Sequence, residues 1–162
     1  MAPERKRTAE TKSETGSALH MPSAKSLREK IAVEESSKAS EALRKAAAEE
    51  AEMKELIDRL SKPSGLSDEE IMRRGKVIIQ RAVNDGRMSV QVFRFPNAMC
   101  TDHGRAINQR EAGWENTLTG APKELYLFWQ RRLKPLGYKI RYEIIDFPGG
   151  MPGDVGVTLS WE

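Results

Sequence analysis

All ten aromatic side chains of this chain lie after position 64; residues 1–64 contain no Phe, Tyr or Trp. A segment without large apolar groups cannot bury enough surface to offset the entropy lost on ordering it into a core. The folded domain is therefore expected in residues 65–162, long enough for one small core. The remainder divides into a disordered tail over 1–23 and a helical arm with its linker over 24–64.

Charge narrows the function classes only a little. Basic and acidic residues number 13 and 12 before position 65 and 14 and 12 after it, so neither part is a strongly basic nucleic-acid binder by composition. The one cysteine, Cys100, excludes an internal disulfide and fits a reducing compartment. No apolar run has the length to cross a bilayer, and the start of the chain lacks the apolar stretch of a secretory signal. The expectation is a cytoplasmic protein with no membrane partner.

From Ser26 to Ser61 the residues are mostly Ala, Glu, Lys, Leu and Arg, the strong helix formers. Glu34/Lys38, Glu41/Lys45, Glu50/Lys54 and Glu55/Arg59 stand four apart in the favourable order. A heptad frame places Ala39, Ala46, Met53 and Leu60 at one seam position and Ala42, Glu49 and Leu56 at the other, so only the last turns have a coiled-coil character. The arm reads as a charged single helix whose end, Met53, Leu56, Ile57 and Leu60, docks on the domain or on a second copy. Lys62, Pro63, Ser64 and Gly65 break it.

In the domain, Ser67 and Glu70 form a capping box and Leu66 and Ile71 have the spacing of a hydrophobic staple. Gly86 stands where a left-handed cap ends the helix. Ile71, Gly75, Ile78, Ile79, Ala82 and Val83 share one face, expected to be core, with Gly75 admitting another backbone. MSVQVFRF (88–95) reads as a strand ended by Pro96. Strict alternation puts Met88, Val90 and Val92 on one side and Phe93 and Phe95 on the other.

A second helix starts near Pro122, buries Leu125, Phe128, Trp129 and Leu133, and stops at Pro135 and Gly137. The strands YKIRYEIIDF and VGVTLSW follow, joined by PGGMPGD, which lacks the Lys and helix of a phosphate loop and so reads as a hairpin connection. Tyr138, Ile140, Tyr142 and Ile144 match Val155, Val157, Leu159 and Trp161 on the core face. The expected fold is α+β, two helices packed on one face of a small three-stranded sheet in the order α-β-loop-α-β-β. The helix, Gly137-Tyr138, the hairpin and the Ser160-Trp161 ending resemble the ends of small uncharacterised α+β proteins of bacteria and their phages. That resemblance covers about residues 121–162 and implies no activity or catalytic residue.

The candidate site is the loop between Phe95 and Pro122, too long to be bare. It is expected to fold over the polar face of the sheet beside Phe93 and Phe95, with Trp114 as the clamp. Cys100, His103, Asp102 and Arg105 would serve a hydrolase or transferase, with the thiol as nucleophile, the imidazole beside it and Arg105 on an anionic substrate. Against this, no nucleophile signature surrounds Cys100. A metal would need Cys100, Asp102 and His103 completed by Asp146 or Asp154, so no metal and no cofactor is expected. The favoured alternative has Cys100 as a small buried group, Asp102 as a turn or cap residue and His103 and Arg105 half exposed; a further one makes His103, Arg105, Asn108 and Trp114, with Gln109 and Arg110, contacts for a protein partner or a second copy. A nucleic-acid reading uses Arg131, Arg132, Lys134, Lys139 and Arg141 as a basic strip, with the two Phe rings for stacking. A non-enzymatic interaction or regulatory module is the leading expectation.

Overall fold

The computed structural model describes residues 20–162, so the tail expected over 1–23 falls outside the described residues as far as position 19. Helix α1 (Ala24–Ser61) opens with Ser23, whose side-chain oxygen accepts the backbone N–H of Ser26 at 3.1 Å. Contacts divide the chain between Ala48 and Glu49. In the first unit the helix is exposed throughout, Leu27, Ile31, Val33 and Leu43 included. In the second unit its last turns carry Ile57 and Leu60 onto the main core cluster.

Helix α2 (Asp68–Asn84) starts as its sequence dictates: the Ser67 hydroxyl accepts the Glu70 N–H at 3.3 Å, and Gly86 takes a φ of 74° just beyond its end. The Glu70 carboxylate pairs forward with Arg74 at 3.3 Å. Strand β1 (Ser89–Phe95) follows, then the loop, which folds into short pieces: α3 (Arg105–Gln109) between single turns at Asn97–Met99 and Trp114–Thr117. Helix α4 (Gly120–Phe128) runs on through a π turn at Trp129–Leu133 and a tight turn at Lys134–Leu136 to Gly137, whose φ is 94°. Strands β2 (Lys139–Ile144) and β3 (Val155–Ser160) form the expected hairpin.

The three strands are antiparallel in the order β1-β3-β2. Ile140, Tyr142 and Ile144 stand opposite Leu159, Val157 and Val155, the expected register. Strand β1 departs from strict alternation. Its pairing with β3 slips between Gln91 and Phe93, leaving Val92 as the extra residue of a bulge. One inserted residue flips every later side chain to the opposite face. Val90 therefore faces Leu159, while Phe93 and Phe95 face Val157 and Val155 on the core side as well.

The bulge relocates the loop. Met99, Cys100, Ile107 and Leu118 pack with Phe95, Tyr142, Val155 and Val157, so the segment covers the core face and not the polar one. This single face is shared. The loop and the end of α1 cover the end of the sheet at Val155, and α2 and α4 cover the end at Leu159, through Phe128, Leu133, Ile71 and Ile79. On the opposite face Arg94 binds Asp154 through Nε at 2.7 Å and Asp146 through Nη2 at 3.1 Å, and Asp146 accepts the Asp154 N–H at 2.6 Å. These contacts fasten the hairpin connection to β1, and Asp154 is the main cause of a raised Arg94 pKa.

Candidate functional site

The residues of the 97–110 segment are held by their own backbone. Asp102 accepts the N–H of Gly104 at 3.0 Å with one oxygen and of Ala106 at 2.8 Å with the other, capping the start of α3. His103, at φ 55°, and Gly104, at φ 80°, turn the chain into that helix, and Arg110, at φ 54°, ends it. Asn97 Nδ2 donates to the Pro152 carbonyl at 2.6 Å, tying the segment to the hairpin connection.

Cys100 is 2% exposed among Met99, Ile107, Leu118 and Tyr142. His103 and Arg105 are exposed, and Arg105 pairs with Glu111 at 3.6 Å. Burial first, and then the Asp102 carboxylate, push the Cys100 thiol from 9.0 up to about 11, against a weaker lowering by Thr117. The charge acting on the thiol is thus negative, the reverse of what a nucleophilic cysteine requires. The structure brings Cys100 and Asp102 together without supplying an imidazole or guanidinium to the sulfur. Among the described residues there is no group of three or more His, Cys, Asp or Glu disposed to hold a metal ion, and Asp146 and Asp154 are both engaged by Arg94.

Two buried acids contribute to a loss of stability at alkaline pH. Burial also raises Tyr142, whose hydroxyl donates to the Pro122 carbonyl at 2.8 Å, above the ordinary tyrosine range. A raised acid pKa means that the unfolded chain loses its proton first. Each contribution is complete below the unfolded value and is lost as pH rises through the folded one. We expect the melting temperature to fall as pH rises from 9 through 11, the interval set by the Cys100 thiol. Cys100→Ala, followed by calorimetry across that range, should show a shallower fall; an unchanged slope would exclude the thiol as its cause.

The basic strip is divided between two layers. Arg131 pairs with Asp68 at 3.0 Å and Lys134 lies 5.6 Å above the Trp129 ring, both on the helical layer with Arg132. Lys139 and Arg141 extend from the opposite sheet face, where Arg141 pairs with Glu143 at 3.3 Å. Phe93 and Phe95 face the core, so these two rings are not presented on the open face for stacking.

An apolar concavity lies elsewhere. A groove of about 730 Å³ runs along α2 between that helix, β1 and α4, floored by Ile71, Ile79, Val92, Leu125, Phe128 and Leu159. Only Ala82 of α2 is buried; Ile78 is 38% exposed, Val83 48%, and Leu136 across the groove 65%. The apolar face of α2, expected to be core throughout, is therefore only partly covered. Gly75 lines the groove and a Cβ there would meet nothing within 4 Å, so among the described residues no backbone makes the close approach expected at that position. Trp114 is half-buried, edge-on to Tyr126 at 5.5 Å and tilted on Tyr142 at 5.0 Å between ring centroids. Comparison with known protein families, curated proteins and solved structures gives no match to this chain. Among the described residues no helix is long and apolar enough to cross a membrane.

Proposed function

We propose that this protein is a cytoplasmic, non-enzymatic interaction module that seats a helix of a partner protein in the groove along α2. One observation carries the reading: a helix face of core composition, Ile71 to Val83, is left beside an open apolar groove. Contiguous exposed apolar surface rimmed by polar residues is the kind of patch that marks interaction sites. A groove beside a five-turn helix matches the way amphipathic helices dock. Gly75 supports the same reading. Glycine inside a helix costs about 1 kcal/mol relative to Ala, and among the described residues nothing uses the space above it.

The test separates folding from docking at one position. Gly75→Ala is expected to raise stability by about 0.5–1 kcal/mol, read by chemical denaturation. Gly75→Phe fills the groove and should abolish binding of a helical peptide with a leucine seam without lowering the melting temperature. Undiminished peptide binding by Gly75→Phe would overturn the groove as the docking surface.

A further inference from the structure

We infer that the helix received by this groove is acidic along its margins and belongs to another protein; the inference rests on the docking reading above. The two helical runs that border the groove, 68–84 and 120–136, carry eight basic residues (Arg73, Arg74, Lys76 and Arg81; Lys123, Arg131, Arg132 and Lys134) against four acidic ones, and of these Arg73, Arg74 and Lys76 line the groove with Glu69 and Glu124. Two ion pairs cancel, Asp68 with Arg131 and Glu70 with Arg74, which leaves six basic residues against Glu69 and Glu124, the latter accepting the Ser64 N–H at 3.4 Å. Arg73 and Lys76, which line the groove, have no ion-pair partner among the described residues. The margin is therefore a net cationic border around an apolar floor, and its complement is an apolar seam flanked by carboxylates.

This chain offers no free segment of that kind. Residues 24–48 of α1 hold six basic and four acidic residues, and residues 1–19 hold four and three. Residues 49–61 are acidic, five against two, but their Ile57 and Leu60 already pack on the core cluster. A second copy thus has no acidic amphipathic helix to spare. Within the margin the acidic turn of α2 lies at its start, at Asp68 to Glu70, and its cations at Arg73, Arg74, Lys76 and Arg81. The partner's carboxylates accordingly lie along the later turns of α2.

Two fluorescein-labelled model peptides, each about as long as α2, test this against the full chain. They share leucines at i, i+3, i+4 and i+7 and differ only in carrying Ala and Glu, or Ala and Lys, elsewhere. The Glu peptide should bind roughly tenfold more tightly at low salt, with the difference shrinking as salt rises. Arg73→Glu combined with Lys76→Glu, at exposed unpaired positions where folding is not at stake, should reverse the preference; circular dichroism checks that the fold persists. Equal affinities, or a tighter Lys peptide, overturn the acidic partner and leave the groove reading standing. Failure of both peptides to bind overturns both, including the case in which an apolar dye occupies the groove instead. Sedimentation showing a dimer that Gly75→Phe dissociates assigns the groove to a second copy and overturns the separate partner.

Discussion

Gly120→Ala should destabilise the protein by about 3 kcal/mol, combining roughly 1–2 kcal/mol for a left-handed non-glycine residue with 1–3 kcal/mol for overpacking. Gly120 has a φ of 58° where α4 begins, and a Cβ there would run into the Leu60 carbonyl oxygen, lie 2.8 Å from Met99 Cε and lie 3.0 Å from Ser61 Cα. The methionine end can swing aside; the Leu60 and Ser61 backbone cannot without lifting the last turn of α1 from the core, where Leu60 packs. Gly86→Ala is the control. Gly86 has a φ of 74° and open space around it, so it pays the conformational penalty alone, about 1 kcal/mol. Urea denaturation of the three proteins would show Gly120→Ala well below Gly86→Ala. Equal losses would mean that the contact with α1 contributes nothing.

Gly120 also shows why part of this structure is legible in the sequence and part is not. Local devices read correctly because their causes lie within a few residues: the Ser67 cap on α2, the left-handed Gly86, the Asp102 cap, and the alternation that registers β2 on β3. The burial of Cys100 follows from a small apolar side chain in a segment that also carries Met99 and Ile107. The Val92 bulge was not legible, because MSVQVFRF contains neither the glycine nor the interruption that often marks one, and the choice of face is made by Val155 and Val157 some sixty residues later. Once that face is wrong, the loop is assigned to the wrong side of the sheet. The groove was hidden for a related reason. Periodicity identifies the apolar stripe of α2 but not how much of it a neighbour covers, which depends on spacing set by α4 and β1. Gly75 carried the one signal available; a glycine there admits a close approach, but no described residue of this chain makes it.

Trp114→Ala should release the loop segment ahead of the rest of the fold. Its indole bridges Tyr126 of α4 and Tyr142 of β2, and removing a half-buried tryptophan from such a contact costs about 3 kcal/mol, the lower end for large aromatic truncations. Between Pro96 and Gly120 the segment holds its own helix and turns, with Thr101 N donating to Thr117 O at 2.8 Å and a single bridge pairing Cys100 with Leu118. It therefore has the makings of a unit that opens without global unfolding. Cys100 reports the opening. Its thiol is buried and held largely protonated at neutral pH, so a thiol reagent reacts only when the segment lifts. Leu159→Ala provides the comparison, because Leu159 lies in the other core cluster with Phe128 and Leu133, at the far end of the sheet face. In native buffer Trp114→Ala should speed Cys100 labelling far more than Leu159→Ala does, even where the two lose similar global stability. If labelling in both variants simply follows global stability, the segment is not a separate unit, and the indole is one more core contact among several.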